Sequence, residues 1–440
     1  MVARKSIPLL VIGLTLQAVP LAGLAQITLP DVYLSAMATN EGVMSKELQE
    51  QAKEESVREA WGKVLPQVDA TASYGVSEYT RNFDRASSIT ETDTLTRADV
   101  QLDQVIYSRE TFKEIERAGA SADLAGAERR ARELEVGFNA IEAYLEANRL
   151  QAETDVLEDS LASHQRRLKQ MESMQERGLA SRSETLDARA RMDEVEAELA
   201  SLRYDYRAAI KNLEAVSGLD VDQKQLAPLP VGVWKRTPAV LDKDWQSLAF
   251  SNSAEISRAK REREVADATY ERERGAHWPE LYLSAQYSNN DTFATTLREE
   301  LRAELQLRVP LYSGGSTSAR ARAAHKRERA AEYELRHRKD RVQVEVSRLT
   351  ETLQGSYQKI RSLKTAESSA EAALEAAQKG FQSGVRSLND LLDSRNRLTD
   401  IRRSLIEQTH KNVMRQYELR QRTGTLSVQD LPGLASAAGQ

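Results

Sequence analysis

Two kinds of hydrophobic periodicity alternate along this chain of 440 residues. Over long segments, apolar residues recur every three or four positions, which is the spacing of an amphipathic helix. Over four short segments they recur at every second position, which is the spacing of a half-buried strand. The stretches 67–227 and 311–431 contain no proline, so very long helices are permitted there. The pattern predicts a mainly α-helical chain that carries four strands.

The clearest helical repeat lies between residues 192 and 216. Its apolar positions follow a 3-4 spacing flanked by charged residues, which predicts coiled-coil packing: Met192, Val195, Leu199, Leu202, Tyr206, Ala209, Leu213 and Val216. The segment 110–174 is expected to form one helix of roughly 100 Å, at about 1.5 Å per residue. Single helices are also expected over about 30–63, 245–277 and 316–378.

The strand-like segments lie near residues 68–76, 98–102, 281–288 and 300–309, and a polar loop is expected at about 80–94. One apolar and one polar face over strands of about 9–12 residues is typical of a transmembrane β-barrel. Lipid tolerates only closed barrels or helices, and four strands cannot close a barrel. The chain must therefore oligomerise if these strands cross a membrane. A small periplasmic sheet with one solvated face is the alternative.

An internal duplication relates the two halves of the chain. The segment that begins at Gly178 resembles the segment that begins at Gly384, 206 residues later, and Gly218 and Gly424 have the same separation. Gly178 and Gly384 are each predicted to mark the tip of a helical hairpin. We divide the chain into a first repeat at 26–220, a link at 221–244, a second repeat at 245–428 and a tail at 429–440.

Composition and charge exclude several kinds of functional site. The chain has no cysteine, which excludes disulfides, thiolate metal sites and a cysteine nucleophile. No phosphate-binding loop, nucleophile elbow or metal motif occurs, so we predict no catalysis, no cofactor and no metal site. The net charge is −5. The basic run at 320–341 contains four acidic residues, so a solvated helix face is favoured over a nucleic-acid site.

The first 25 residues have the features of a secretory signal peptide. Arg4 and Lys5 precede a mostly apolar run at 7–21, and small residues at Gly23 and Ala25 permit cleavage before Gln26. A membrane anchor is the alternative, but the run is shorter than the ~20 residues that a span needs. A signal peptide together with alternating strands indicates a bacterial outer membrane, from which the long helices must project into the periplasm.

An ordered set of short motifs resembles the TolC family of outer-membrane channel proteins. These motifs are Leu65-Pro66, the segments at 105–108 and 309–315, the two hairpin tips, and the segment at 424–430. The resemblance covers nearly the whole chain after residue 25. It implies a homotrimer with a 12-stranded β-barrel in the outer membrane, four strands from each chain. It also implies a 12-helix coiled-coil barrel through the periplasm, with the link at 221–244 in an equatorial region.

The resemblance places an aperture at the second tip. It assigns the aspartates that ring the periplasmic pore to Asp390 and Asp393, one helical turn apart. Trimerisation would make two stacked rings of three carboxylates, which would bind cations and select against anions. Ordinary exposed helix carboxylates are the alternative interpretation of this pair.

The resemblance also implies a polar latch that must break on opening. Arg386 matches the arginine of that latch, and Ser183 and Glu184 match its partners. The tyrosine of the family falls at Phe381, which can pack but cannot donate a hydroxyl bond. One contact of the latch is therefore in doubt for this chain.

These features predict a passive exit duct that takes substrate from an inner-membrane pump, of the ABC or RND type, through a periplasmic adaptor. Type I protein secretion is favoured because the chain lacks a lipid-anchor cysteine. The segment at 424–430 also resembles that of the protein after which the family is named. Small-molecule efflux is the close alternative. A periplasmic coiled-coil structural protein without a pore is an alternative of another class.

Overall fold

The computed structural model describes residues 26–84, 87–221, 226–230, 232–291 and 299–431. The predicted signal peptide and most of the predicted tail lie outside these described residues. Within the described residues, no helix is long and apolar enough to cross a membrane.

The first half of the chain supplies four helices and two strands, in the order α1 Leu29–Thr39, α2 Glu41–Gly62, β1 Gln67–Asp84, β2 Ser87–Ser108, α3 Arg109–Glu176 and α4 Arg182–Ser217. The predicted long helix at 110–174 is confirmed by α3, which runs unbroken for 68 residues. Ser108 begins it by accepting a hydrogen bond from the amide of Thr111 at 3.2 Å. Gly218, with φ of 69°, ends α4 in the left-handed conformation that glycine adopts without strain.

The second half repeats this plan after the link. A 3-10 turn at Val233–Arg236 precedes α5 Thr237–Leu241, α6 Trp245–Asn252, α7 Ala254–Gly275, β3 Glu280–Asp291, β4 Glu299–Arg308, α8 Ser316–Gln382 and α9 Leu388–Arg422. Apart from the added short helix, the order of helices and strands matches that of the first half. The architecture is therefore the one expected from the duplicated sequence.

Two single helices predicted from the sequence are each broken once. Asn40 interrupts the helix expected at 30–63, and Ser253 interrupts the one expected at 245–277. Asn40 has an extended backbone, and its side chain accepts hydrogen bonds from the amides of Gly42 and Val43. Such a local side-chain cap competes with helix continuation, which periodicity alone does not reveal.

The four strands form one antiparallel sheet in the order β1-β2-β3-β4. The expected polar loop at about 80–94 was wrong, because β1 and β2 pair as far as Asp84 and Ser87. They contain 18 and 22 residues, against 12 and 10 in β3 and β4. Threonines are frequent in the polar stretch, and β-branched side chains favour strands even where no apolar alternation is present.

The helices lie side by side in a defined order. In the half next to the sheet the order is α2-α3-α7-α8, and in the half next to the tips it is α4-α3-α9-α8. The long helices α3 and α8 therefore connect both halves. The helices and the sheet together form one layer, which we call the wall. Strand β1 and helices α2 and α4 lie at one edge of the wall, and β4 and α8 lie at the other.

The largest apolar core lies where the two halves of the wall meet, around Ile141, Tyr144 and Leu213. Two groups of hydrogen bonds attach the link to this core. Ala227 accepts bonds from Tyr144 Oη at 2.6 Å and from Asn148 Nδ2 at 2.9 Å. Thr237 Oγ1 lies 2.9 Å from Asn412 Oδ1 in α9. A separate, smaller cluster packs the two hairpin tips together.

Candidate functional site

The sheet has one apolar face that continues across all four strands. Opposite residues in an antiparallel pair point to the same face. Ala70 pairs with Val100, Val100 with Tyr287 and Tyr287 with Leu301, so one apolar row crosses the sheet. Leu301 and Leu305 are 78% and 67% exposed, and no described element covers this face in the single chain.

The opposite face of the sheet is mainly polar. Thr71, Asp99, Ser288 and Glu300 form one row across the four strands. Side chains on this face also pair along a strand, as where Arg302 contacts Glu300 at 2.8 Å. A strand with lipid on one side and water on the other requires this division. The alternation predicted from the sequence is therefore present in the paired sheet.

Large exposed side chains also gather where strands meet helices. Trp61 and Leu65 precede β1, Trp278 precedes β3, and Leu311 and Tyr312 follow β4. Trp and Tyr favour the level of lipid headgroups, where one end of the ring is apolar and the other is wet. The sequence analysis did not select these residues. The aromatic residues at the predicted strand–helix boundaries were the signal that could have found them.

The two hairpin tips have the same backbone construction. Gly178 and Gly384 have φ of 72° and 73°, a conformation that favours glycine. The amide of Leu179 donates to the carbonyl of Met174 at 2.8 Å, and that of Val385 donates to Gly380 at 2.9 Å. These bonds satisfy the last carbonyls of α3 and α8 and reverse the chain.

A reciprocal cap starts the returning helix at each tip. At the first tip, Ser181 Oγ accepts from the amide of Glu184, and the Glu184 carboxylate accepts from the amide of Ser181 at 2.8 Å. At the second tip, Ser387 and Asp390 form the same pair. The serine and the acidic residue three positions later are a capping box. Glu184 and Asp390 thus hold equivalent local positions in the two repeats.

The two predicted aperture residues lie on the exposed side of α9. Leu388 and Leu392 are buried on the opposite side, against the other hairpin. The hydrogen bonds from Ser387 lower the pKa of Asp390 below its ordinary value, so this carboxyl stays ionised in neutral solution. Asp393 lies one turn further and lines a groove between α4 and α9 together with Asp187, its counterpart in the first repeat.

The predicted latch residues are close to the tips, but a single chain does not join them. Among the described residues, the Arg386 side chain forms no hydrogen bond or ion pair with Ser183 or Glu184. The Glu184 carboxylate is used within its own cap, and Ser183 is exposed. Arg386 instead lies against Gly380, and its positive charge helps to lower the pKa of Asp390.

Phe381 packs between the two tips. It contacts the cluster that contains Leu168, Met171 and Leu388, and the guanidinium of Arg167 lies 5.0 Å from the centre of its ring. A cation over an aromatic face is attracted by the ring quadrupole. Phe381 therefore joins α8 to α3 by apolar and cation–π contacts.

Each tip presents one exposed apolar side chain at an equivalent position. Leu179 is 67% exposed and Val385 is 82% exposed, each directly after the tip glycine. The sequence analysis did not select them. Their position after the repeated glycine could have indicated them, because a turn residue has few neighbours to cover it.

The fold agrees with comparisons to known proteins. The family model described as "Outer membrane efflux protein" matches residues 32–219 and 245–425, which covers both repeats and omits the link.

The chain belongs to the outer membrane efflux protein family.

Relatives and solved structures are consistent with this membership. The outer membrane protein TolC of Vibrio cholerae is 26% identical over 414 residues, covering 92% of each chain. The alkaline protease secretion protein AprF of Pseudomonas aeruginosa is 26% identical over 343 residues, covering 77% of this chain and 71% of AprF. The crystal structure of VceC, an outer membrane protein of Vibrio cholerae, aligns with a TM-score of 0.77 at 17% identity. It covers 90% of this chain and 96% of VceC.

These findings confirm the predicted family, the mainly α fold with a four-stranded sheet, and the location in the outer membrane. The protein is an outer-membrane efflux channel of this family.

Proposed function

We propose that this chain is the outer-membrane exit duct of a tripartite export system. The observation that carries the proposal is the apolar face of the four-stranded sheet, which leads directly into helices of 68 and 67 residues. The sheet suits a lipid environment, and the helices reach on the order of 100 Å beyond it. We assign no catalytic step or cofactor to the chain, so the energy for export must come from a partner.

The two open edges of the wall support assembly into a homotrimer. Met44 and Leu48 are exposed on α2 at one edge, and Tyr333 and Val344 are exposed on α8 at the other. Joining one edge to the other edge of a second copy is a heterologous contact, which forms a ring when the rotation between successive copies closes. Three copies would supply 12 strands, which matches the family resemblance and exceeds the minimum of eight.

The charges on these edges are complementary. Glu41, Glu47, Glu54 and Glu59 are exposed on α2, whereas Arg322, Lys326, Arg327 and Lys339 are exposed on α8. Opposite charges across an interface fix its register and exclude incorrect partners. The basic run considered for nucleic acid is thus assigned to a subunit boundary in our proposal.

The tips form the periplasmic end of the proposed duct. Asp390 and Asp393 would make the two carboxylate rings at the aperture. Arg386 would form its latch with Ser183 and Glu184 of a neighbouring copy, because its own chain does not bring these side chains together. The pair Leu179 and Val385 offers an apolar docking point for a periplasmic adaptor, which would connect the duct to an inner-membrane ABC or RND pump.

Type I protein secretion is the favoured route, and small-molecule efflux is the second candidate. The similarity to a protease secretion protein supports the first, and the family description supports the second. Deleting the gene should abolish export of a large protein substrate if the first route operates. If the second operates, deletion should instead increase sensitivity to small toxic compounds.

Planar-bilayer recording tests the duct itself. The purified, detergent-stable oligomer should give discrete conductance steps, and its mass should correspond to three chains. An oligomer that gives no conductance under any voltage or salt condition would favour a periplasmic coiled-coil structural protein without a pore. Co-purification of an adaptor that is lost in Leu179→Asp with Val385→Asp would support docking at the tips.

A further inference from the structure

A polar cavity of about 330 Å³ lies where α3, α7, α8 and α9 meet, between the two halves of the wall. Four arginines and one carboxylate line it: Arg258, Arg338, Arg341, Arg422 and Glu255. The cavity is far from the tips and from the sheet, and the proposed export function does not use it.

The beginning of α7 faces this cavity without a side-chain cap. Ser253 is the residue before α7 and is only 2% exposed, yet its Oγ forms no hydrogen bond with the described residues. The Nε atom of Arg422 is also buried without a hydrogen-bond partner in this part of the chain, whereas that of Arg258 lies 3.3 Å from the Glu262 carboxylate. Buried donors are nearly always satisfied in proteins. Two such donors on residues around one cavity, Ser253 Oγ and Arg422 Nε, therefore indicate a ligand that accepts hydrogen bonds.

The duplication supplies an internal comparison. Asn40 precedes α2 in the first repeat and lies 213 residues before Ser253, the same separation as between Pro66 and Pro279. The Asn40 side chain caps α2 by accepting from two amides, at 3.0 and 3.2 Å. Ser253 makes no equivalent bond. In the first repeat, the Asn40 side chain thus satisfies the amides at the start of α2. In the second repeat, no side chain caps the start of α7, which faces four arginines.

The acidic neighbours leave donors free in the cavity. Glu255 is paired with Arg338 at 3.0 Å and with Arg341. Glu262, Glu334 and Glu345 contact the arginines but do not line the cavity. Each guanidinium has five N–H donors, so it can hold a carboxylate on one side and a second acceptor on the other. A helix N-terminus adds partial positive charge at the same place.

We propose that this cavity binds a phosphate-sized oxyanion. Planar guanidinium groups bind tetrahedral oxyanions through paired hydrogen bonds, and the open amides of α7 would bind the same ligand. The 22 residues of α7 separate the cavity from the strand–helix junction by roughly 30 Å, at about 1.5 Å per residue. The ligand is therefore a free periplasmic anion rather than the headgroup of a lipid in the membrane. Bound there, it would join the end of α9 to the start of α7.

Calorimetric titration of the purified full-length oligomer with inorganic phosphate tests this site. Chloride buffer at constant ionic strength removes competing oxyanions. We expect saturable binding of one phosphate per chain, weakened at least tenfold by Arg258→Gln. Ser253→Asn should have a similar effect, because the introduced amide would cap α7 as Asn40 caps α2. In Ser253→Asn the amides at the start of α7 stay hydrogen-bonded. Loss of phosphate binding in this variant would therefore reflect loss of the site and not loss of the fold.

Arg132→Gln is the matched control. Arg132 lies beside Gly42 at the corresponding helix start and pairs with Glu135 at 2.9 Å. Phosphate affinity should be unchanged in this variant. Absence of phosphate binding by the native protein, or an affinity in Arg258→Gln and Ser253→Asn equal to that of the native protein, would overturn the proposal. Competition by short-chain phosphatidylglycerol would overturn the assignment to a free anion.

Discussion

The carboxylate of Asp390 accepts a hydrogen bond from the amide of Ser387 at 3.0 Å, and Ser387 Oγ accepts one from the amide of Asp390 at 3.1 Å. The residue proposed for the pore ring is therefore also the cap that begins α9. Its charge is held at a fixed point of the tip by local bonds. Asp393 has no such bond among the described residues. Mutation can therefore distinguish the contribution of Asp393 from that of Asp390.

Replacement of both aspartates should weaken cation selectivity and divalent block. Asp390→Ala with Asp393→Ala removes six carboxylates from a trimeric aperture, and a constriction without these charges attracts cations less strongly. Reversal potentials in a salt gradient measure the effect. Ser387→Ala removes the side-chain half of the cap of α9 but keeps both carboxylates, so it should leave selectivity unchanged. Native selectivity in the double variant would exclude both residues from the pore.

Arg386→Ala should raise the resting conductance of the channel. The guanidinium is proposed to donate to acceptors on a neighbouring copy, and removing it would release one restraint on the closed tip. Single-channel recording at fixed voltage gives the measurement. Arg397→Ala changes an exposed arginine within α9; it is the control and should behave as the native protein does. An unchanged conductance in Arg386→Ala would contradict the latch.

Phe381→Tyr should lower the resting conductance. The ring already packs against the tip cluster and under Arg167, so the added hydroxyl can supply a polar contact without loss of packing. The same recordings would show fewer spontaneous openings. Phe381→Leu, which lacks both the ring and the hydroxyl, should increase them. If tyrosine and leucine have the same effect, the hydroxyl has no role in closure.

Leu305→Arg should prevent assembly in the outer membrane, whereas Gln306→Arg should not. The two residues are neighbours in β4 and lie on opposite faces of the sheet. Arginine on the lipid face near the bilayer centre costs about 2–4 kcal/mol, but it is tolerated on the polar face. The amount of oligomer in outer-membrane fractions is the measurement. Equal insertion of the two variants would mean that the apolar face does not contact lipid.

Glu114→Gln should destabilise the half of the wall next to the sheet in a pH-dependent way. Hydrogen bonds from Arg117, and then from Arg272 in α7, hold the pKa of Glu114 at about 2, against an ordinary value of 4.5. A lowered folded-state pKa stabilises the fold above pH 4.5, and this contribution is lost as pH falls toward 2.

The expected difference between native protein and Glu114→Gln is about 1–2 kcal/mol at pH 6, after allowance for solvent screening. It should shrink steadily below pH 4.5. Denaturant unfolding followed by circular dichroism at several pH values would measure it. Glu116→Gln alters an exposed ion pair with Lys113 and should show little change. A difference that stays constant down to pH 2 would contradict the ionic origin.

The sequence by itself determined the family, the duplication, the long helices and the alternating strands. These features depend on periodicity and on glycine or proline at turns, which are properties of neighbouring residues. Gly178 and Gly384 could be recognised because a left-handed turn favours glycine wherever it occurs. The heptad at 192–216 could be recognised because one helix face must be buried, and Leu199 and Leu213 are buried in α4.

Only the tertiary structure decided where side chains from distant segments meet. The polar end of β1 is a strand because it pairs with β2. Arg386 and Glu184 do not contact each other within the single chain. The cavity beside Ser253 unites arginines from α7, α8 and α9 that are as many as 164 residues apart, from Arg258 to Arg422. No local pattern marks such a site, because its donors converge only after the two repeats have packed together.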